Sequence, residues 1–364
     1  MSQLGIGMIG CGEIAVQTAR GIAAAPSARH VMVMDVDARV AGDLGATYGV
    51  PHTTEVAALL ANPEVDAVYI AVPHYLHAPI ALEAIAAGKH VLVEKPIATT
   101  LEDADRMIAA ARARGLTLSV AYLAQGNAAL QRVRDLVASG AIGRVLGTRI
   151  VLRSDKPESY WTGGFTGRIQ TDWRSSKAKA GGGVLIMNTV HDLNTMRWLV
   201  GLEVVRVYAE YDTFTTAVEV EDYVAVTYRY QNRAIGTLEA GSAIRGRDPL
   251  REVNRIYGDL GQLVLTSPTR VYLTREVAEG AGPELAGLAA GQWHELAAEA
   301  EDPTRGRGAA VEGFARAVLD GRPPPVRAED GRAALEVIVA AYRSGQEGRA
   351  IELPLVGAAV GRAR

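Results

Sequence analysis

Short apolar runs alternate with helical patterns over the first 122 residues of the chain. Short apolar runs predict buried strands, and apolar positions spaced three to four residues apart predict helices. This pattern predicts strands at Leu4–Ile9, Val31–Met34, Ala67–Val72, Val91–Val93 and Leu116–Ala121, and helices at Ile14–Ala25, Ala78–Ala87 and Glu102–Arg114. Gly115 stands where a C-terminal helix cap belongs. The repetition of strand and helix predicts an α/β fold with a doubly wound parallel sheet over residues 1–122.

The pattern changes after residue 122, and a second α/β domain is predicted over residues 123–364. Runs rich in Val, Tyr and Thr between residues 203 and 274 indicate an open, mostly antiparallel sheet. The predicted elements are helices at Ala128–Ala138, Val184–Leu199, Ala309–Leu319 and Ala328–Tyr342, and strands at Val145–Leu152, Val204–Tyr211, Tyr223–Tyr230 and Ile235–Ala240. The weakly periodic segment 153–183 predicts a long functional loop, and segment 277–301 predicts an exposed excursion.

Composition narrows the class of protein further. A length of 364 residues favours two domains, and 48% hydrophobic with 22% charged residues is typical of a soluble globular protein. A net charge of −3 argues against nucleic-acid binding. The single cysteine, Cys11, excludes an intrachain disulfide and a multi-cysteine zinc site, so we expect a cytoplasmic protein without a metal. No signal peptide or membrane span is expected.

A glycine-rich turn follows the first predicted strand. Residues 9–15, Ile-Gly-Cys-Gly-Glu-Ile-Ala, contain the G-x-G-x-x-A fingerprint of dinucleotide-binding Rossmann domains. Gly10 permits the tight turn, Gly12 lets the backbone approach a pyrophosphate, and Ala15 allows close packing of helix on strand. The pyrophosphate would lie at the helix N-terminus, beside Glu13 and Ile14, where free N–H groups favour negative charge.

An acidic residue supports the same interpretation. Asp35 ends the next predicted strand, 20 residues after Ala15, where a carboxylate binds the ribose hydroxyls. Because Asp35 would repel a 2′-phosphate, we predict NAD rather than NADP, although Arg39 lies nearby in the sequence. The alternative is a tight turn followed by a surface aspartate.

Two motifs supply catalytic candidates. Glu94, Lys95 and Pro96 follow a buried strand at the sheet edge where α/β proteins bind ligands, and burial there lowers a lysine pKa. His191 lies on a predicted helix, three residues after Asn188 and on nearly the same face. A histidine facing a cleft is able to accept the proton of an alcohol. The alternatives are a structural Glu–Lys pair and a structural histidine.

These motifs together resemble the glucose-fructose oxidoreductase/inositol dehydrogenase (Gfo/Idh/MocA) family of sugar and cyclitol dehydrogenases. The resemblance covers nearly the whole chain. It is carried by Gly10-Cys11-Gly12 with Ala15, Pro73 with His77, Glu94-Lys95-Pro96, Gly181-Gly182-Gly183 before His191, and the closing run from Glu329 to Ser344. The Glu-Lys-Pro motif combined with the glycine triplet and the histidine is the most specific part.

The resemblance implies that Lys95 and His191 flank the reacting carbon above the nicotinamide. It also implies that Val72, Pro73, His77 and Glu94 border the nicotinamide ribose, with Lys95 close by, and that the second sheet mediates a homodimer or homotetramer. Aromatic and guanidinium groups suit a polyhydroxylated ring. The predicted substrate-binding residues are Tyr122, Tyr160, Trp173, Arg174 and Asn188. For the loop residues the alternative is packing or solvent exposure.

The chain departs from the family pattern at three places. Met187 stands where the family often has an aspartate, four residues before His191, and Asn188 follows it. The run Tyr122–Gln125 lacks an arginine that is common there, and His74 replaces a common asparagine. An amide is able to bind a hydroxyl but does not act as an anion, so the charges of the site are altered.

The sequence therefore predicts an NAD-dependent oxidoreductase acting on a secondary alcohol of a sugar, sugar derivative or cyclitol. Two alternatives stay open. One is a glycosidase of the same family that uses NAD transiently, and the other is a sugar- or NAD-sensing regulator without turnover. Met187 favours the regulator, whereas Lys95 and His191 argue against it.

Overall fold

Six parallel strands form the first sheet of the structure, a computed structural model that describes residues 2–246, 252–276, 288–296 and 303–355. The strands are β1 (Leu4–Ile9), β2 (Ala28–Met34), β3 (His52–Thr53), β4 (Ala67–Ile70), β5 (His90–Val93) and β6 (Leu118–Val120). Their order β3-β2-β1-β4-β5-β6 is that of a Rossmann fold, as predicted. The intervening helices are α1 (Glu13–Ala24), α2 (Ala38–Tyr48), α3 (Val56–Leu60), α4 (His77–Ala86) and α5 (Leu101–Ala113).

Helices α2 and α3 are additions to the sequence prediction. Helix α2 contains Gly42 and Gly45, and interior glycines lower helix propensity by about 1 kcal/mol each, which hides the helical pattern. Gly45 is required by packing, because a Cβ there would lie 2.8 Å from the Val50 carbonyl oxygen. Capping at Asp37, which accepts a hydrogen bond from the Arg39 backbone, and at Gly49 fixes the helix ends.

The second sheet is mostly antiparallel, as predicted. Within the described residues its order is β14-β13-β12-β11-β7-β10-β9-β8-β15, and the β7–β10 pair is parallel. The strands are β7 (Val145–Arg153), β8 (Val204–Asp212), β9 (Tyr223–Tyr230), β10 (Ile235–Gly241), β11 (Arg255–Gly258), β12 (Gly261–Val264), β13 (Arg270–Leu273), β14 (Trp293–Glu295) and β15 (Ile351–Glu352). Their alternating burial leaves one face of the sheet to solvent.

Helices of the second half connect the two sheets. They are α6 (Ala128–Ala138), α7 (Tyr160–Gly163), α8 (Lys177–Ala180), α9 (Val190–Val200), α10 (Pro303–Leu319) and α11 (Ala328–Glu347). The helix predicted at Val184–Leu199 is present, but its first part, Leu185–Thr189, is a π-helical turn. Such turns are frequent at functional sites. Segment 153–183 is largely irregular apart from α7 and α8.

The C-terminal helices pack back onto the first sheet. Phe314 and Val311 of α10 share one buried cluster with Leu4 and Ile22. Helix α10 begins at Pro303, before the predicted start at Ala309, and therefore includes Arg307. The division of the chain at residue 122 stays a prediction.

The excursion predicted at residues 277–301 lies mostly outside the described residues. Residues 288–296 are described, and they include β14, in which Trp293 is exposed. Among the described helices, none combines the length and the apolar character that crossing a membrane requires.

Candidate active site

Four strands of the first sheet end at one edge, and each carries a predicted site residue there. Gly10 follows β1, Asp35 follows β2, Val72 lies beyond β4 and Lys95 follows β5. The strands are parallel, so their carboxyl ends share this edge, where ligands of α/β sheets bind.

The glycine-rich turn fits a dinucleotide. Gly10 has φ +95°, and a Cβ there would lie 2.4 Å from the Ala71 carbonyl oxygen, so only glycine is accommodated. Helix α1 begins at Glu13, and Gly12 provides no side-chain cap for its first N–H groups. Those groups and the helix dipole favour a phosphate.

Asp35 lies beside the same turn and is almost completely buried. Its carboxylate accepts hydrogen bonds from the backbone N–H groups of Cys11, at 2.7 Å, and Asp37, at 3.0 Å. A carboxylate has about four acceptor positions, so capacity remains for the ribose hydroxyls. The neighbouring Arg39 is held by Asp37 and by the carbonyl oxygen of Arg168, an arrangement that does not favour a 2′-phosphate.

Replacing Asp35 with asparagine is expected to raise kcat/KM for NADP by about tenfold and to lower it for NAD, because the charge that repels a 2′-phosphate is removed. Steady-state rates with both cofactors measure this change. Asp66→Asn is the matched control, since Asp66 accepts a bond from the Gly5 N–H at the opposite end of β1. An unchanged NADP/NAD ratio in Asp35→Asn would contradict the assignment.

Glu94 is buried, and two side chains hold its carboxylate. Its carboxylate accepts hydrogen bonds from the Tyr69 hydroxyl, at 2.8 Å, and from the Arg307 guanidinium, at 3.0 Å. Arg307 belongs to α10, so this ion pair joins the C-terminal part of the chain to the end of β5. Glu94 therefore anchors the segment that carries Lys95, and its predicted contact with the nicotinamide ribose stays a prediction.

Lys95 is fixed by a backbone carbonyl. Its ammonium donates a 2.6 Å hydrogen bond to the carbonyl oxygen of Met187, in the π-helical turn. Burial lowers the pKa of Lys95, and Glu94 opposes that effect. The Lys95–Pro96 peptide bond is cis. Met187 thus contributes its backbone at the place where the family often has an aspartate side chain.

His191 is neutral near physiological pH. Burial, followed by the charges of Lys95 and Arg307, holds its pKa well below the ordinary value. The edge of the Tyr122 ring packs against the imidazole, with ring centroids 5.7 Å apart. Asp192 binds Asn254 through a 2.8 Å hydrogen bond. In this unprotonated form the imidazole of His191 has one ring nitrogen that is able to accept a hydrogen bond.

The glycine triplet allows close packing around the π-helical turn. A Cβ at Gly182 would lie 2.1 Å from the Tyr342 hydroxyl, and one at Gly183 would lie 1.9 Å from the Glu221 carbonyl oxygen. The Glu221 carboxylate accepts bonds from the N–H groups of Gly183 and Leu185 and from Tyr342. This network fixes the turn that holds Lys95.

Two histidines support the site from inside the protein. His77 is fully buried between the carbonyl oxygens of Val72 and Pro96, at 3.0 and 2.7 Å. It links the segment after β4 to the Glu-Lys-Pro motif. His74 bonds the Ala180 carbonyl oxygen and packs against Trp173 in a tilted arrangement, with ring centroids 4.5 Å apart. The contacts of Pro73 and His77 with the nicotinamide ribose stay a prediction.

The long loop brings an aromatic and cationic cluster to Lys95. Arg174 lies over the rings of Tyr160 and Trp173, with its guanidinium carbon 5.2 and 4.7 Å from the centroids. Its guanidinium is 3.7 Å from the Glu13 carboxylate. Lys156 lies 4.3 Å above the Tyr160 ring and donates a 2.6 Å bond to the Asn188 side chain.

The same loop covers the glycine-rich turn. The Arg168 guanidinium bonds the carbonyl oxygens of Cys11 and Val40, and the Phe165 N–H bonds the Glu13 carboxylate. Ile169 would lie 3.6 Å from a Cβ placed at Gly12. Segment 165–169 therefore lies against the dinucleotide-binding turn.

Three residues of the site were not predicted. Lys156 follows β7 in a weakly periodic stretch, and a lone lysine there resembles a solvated loop residue. Arg307 lies before the predicted start of α10, and Glu221 lies in the turn before β9. The sequence offered one signal for two of these residues: Lys156 and Glu221 lie next to the ends of predicted strands, where site residues often occur. It offered none for Arg307.

Comparisons with known proteins agree with this geometry. The profile of the oxidoreductase family with an NAD-binding Rossmann fold, GFO/IDH/MocA, matches residues 4–122, and the profile of the family's C-terminal domain matches residues 130–264. The chain belongs to the GFO/IDH/MocA family. It is an oxidoreductase with an NAD-binding domain.

Relatives share most of the chain. The 1,5-anhydro-D-fructose reductase of Ensifer adhaerens is 33% identical over 75% of this chain and 80% of its own length. The myo-inositol 2-dehydrogenase of Thermotoga maritima is 25% identical over 96% of this chain and 98% of its own length. The crystal structure of GenD2 from gentamicin A biosynthesis, in complex with NAD, is 29% identical with a TM-score of 0.79, covering 98% of this chain and 97% of GenD2.

Proposed function

We propose that this GFO/IDH/MocA protein catalyses the reversible, NAD-dependent oxidation of a secondary alcohol on a sugar, sugar derivative or cyclitol. The observation that carries the proposal is the position of Lys95, which lies at the carboxyl edge of the Rossmann sheet and binds the carbonyl oxygen of Met187, four residues before His191. The relatives are named as a sugar reductase and a cyclitol dehydrogenase, which supports the same substrate class.

The two groups divide the work on the alcohol. NAD, when bound, supplies the nicotinamide that accepts a hydride. The Lys95 ammonium, oriented by the Met187 carbonyl, donates a hydrogen bond to the reacting oxygen. Neutral His191 accepts the hydroxyl proton as the carbon–oxygen double bond forms. Since the π-helical turn presents Met187 rather than a carboxylate, no neighbouring anion on that turn raises the pKa of His191.

The remaining predicted contacts belong to this proposal. Tyr160, Trp173, Arg174 and Asn188 would bind the sugar hydroxyls. Tyr122 would orient a substrate hydroxyl beside His191, although the Tyr122 side chain is itself buried in the described structure. The other predicted groups would bind or border the dinucleotide, and they are Gly10, Gly12, Glu13, Ile14, Asp35, Val72, Pro73, His77 and Glu94.

The test is formation of NADH from NAD and a panel of neutral and acidic sugars and cyclitols, followed at the reduced-nicotinamide absorbance band. Wild-type protein is expected to form NADH, and His191→Ala to lose about a hundredfold or more of kcat, because general-base catalysis contributes at least that much. Glycoside cleavage without net NADH would instead support a glycosidase, and NAD binding without turnover would support a sensor.

A homodimer or homotetramer and a cytoplasmic location complete the proposal. The exposed face of the second sheet, with Leu146, Tyr208 and Ile235 at its surface, supports association of copies. Light scattering of the purified protein measures the assembly.

A further inference from the structure

Lys156 is a buried cation that nothing above uses in the reaction. It is only 4% exposed, it follows β7, and its ammonium donates to the Asn188 side-chain oxygen. An ammonium group has three donors, and a buried charge is costly unless it is paired. Within the described residues, no carboxylate lies within ion-pair distance of this ammonium.

The groups around Lys156 are mostly cationic or aromatic. Lys95 and Arg174 both act on it electrostatically, and Glu221 is the opposing carboxylate. Glu221, however, is already bonded to two backbone N–H groups and to the Tyr342 hydroxyl. The rings of Tyr160 and Trp161 lie 4.3 and 5.5 Å from the ammonium.

Lys95 and Lys156 each form a hydrogen bond to one of two consecutive residues of the π-helical turn. Lys95 binds the carbonyl of Met187, and Lys156 binds the side chain of Asn188. The Arg174 guanidinium also lies over the Tyr160 ring, 5.2 Å from its centroid, and it is 3.7 Å from the Glu13 carboxylate. Lys95 and Lys156 therefore hold neighbouring residues of one turn, and the charges of Lys95 and Arg174 both act on Lys156.

We propose that the sugar or cyclitol oxidised by this protein carries a carboxylate, and that Lys156, assisted by Arg174, binds it. This inference rests on the proposed function and adds the substrate class. A carboxylate supplies the acceptors and the charge that Lys156 lacks, and charge-assisted hydrogen bonds of this kind are the strong ones. Lys179, by contrast, is paired with Asp172 at the surface.

The protonation of Lys156 gives the recognition a pH dependence. Burial, then the charges of Lys95 and Arg174, lowers the pKa of Lys156 to about 7, while Glu221 opposes that change. The charged form binds the carboxylate, so binding returns the pKa toward its ordinary value and takes up protons near neutral pH. Affinity for the acid is then expected to fall as the pH rises above about 7.

The experiment compares matched neutral and acidic sugars, glucose with glucuronate and galactose with galacturonate, in NAD reduction. Wild-type kcat/KM is expected to favour an acid over its neutral counterpart by about tenfold to a hundredfold, the range for a hydrogen bond to a charged group. Lys156→Met is expected to abolish this preference through KM, whereas Lys156→Arg retains part of it. Lys177→Met, at an exposed lysine of the same loop, is the control and keeps the wild-type ratio.

Calorimetry on the NADH-loaded protein separates this inference from the proposed function. Glucuronate binding with proton uptake, detected in two buffers of different ionisation heat and lost in Lys156→Met, supports the inference even without turnover. Turnover of neutral sugars with no preference for the acid, or a preference that survives in Lys156→Met, overturns the inference and leaves the proposed function intact. A stronger preference for glucose 6-phosphate than for glucuronate would also overturn it.

Discussion

Replacing Lys95 with methionine is expected to reduce kcat/KM by about a thousandfold, within the range for loss of a positioned proton donor. Methionine keeps a stem of four heavy atoms, as in lysine, and lacks the ammonium that Met187 orients. Cofactor affinity, measured by NADH fluorescence, should change far less, because Asp35 and the glycine-rich turn are untouched.

Lys89→Met is the matched control for this prediction. Lys89 lies just before β5, at the other end of the strand that Lys95 follows, and its ammonium bonds the carbonyl oxygens of Asn62 and Val65. The kcat/KM of Lys89→Met should remain close to that of the wild type. Comparable losses of rate in both variants would indicate damage to the strand rather than loss of a reacting group.

The Lys95→Met variant is also expected to differ from the wild type in the pH dependence of its rate. In the wild type, the charge of Lys95 contributes to holding the pKa of His191 well below its ordinary value, so the neutral base is present throughout the neutral range. Without that charge the pKa of His191 rises, and the base is protonated at a higher pH. The acidic limb of the residual rate of alcohol oxidation should therefore move to higher pH. An unmoved limb would contradict the pairing of Lys95 with His191.

Replacing Arg307 with methionine is expected to lower the free energy of unfolding by about 3–5 kcal/mol, the cost of leaving a buried charge without its partner. Both side chains of the Arg307–Glu94 pair are buried, at 11% and 6% exposed. Among the described residues, the donors that would remain to the Glu94 carboxylate are the Tyr69 hydroxyl and, at longer distance, the Lys95 N–H. Urea denaturation of the cofactor-free protein measures the loss.

A double variant distinguishes a lost ion pair from lost packing. Glu94→Gln combined with Arg307→Met removes both charges and should recover most of the stability lost in Arg307→Met alone. If the double variant is as unstable as the sum of the single variants, the two residues do not act as a pair.

The longer strands of both sheets were predictable because their apolar pattern is strong, whereas the short strands β3, β14 and β15 were not predicted. The position of two motifs was also predictable, because each follows a parallel strand and parallel strands place their carboxyl ends at one edge of the sheet. These motifs are Gly10-Cys11-Gly12 and Glu94-Lys95-Pro96. Helix α2 was missed because its glycines serve close packing, which local propensity does not show.

The charges of the site were harder to predict than its position. The pairing of Glu94 with Arg307 joins residues 213 positions apart, and no local pattern relates them. Lys156 depends similarly on the irregular path of the loop after β7. Met187 was noticed as a missing aspartate, yet its role as the acceptor for Lys95 is played by the backbone, which every residue type shares.

Segment 165–169 connects the two ends of the candidate active site. It lies against the glycine-rich turn through Arg168 and Phe165, and it continues directly into Trp173 and Arg174 at the sugar end. One loop therefore joins the place where the dinucleotide would bind to the residues proposed for the sugar. A movement of this loop on binding at one place would be passed directly to the other.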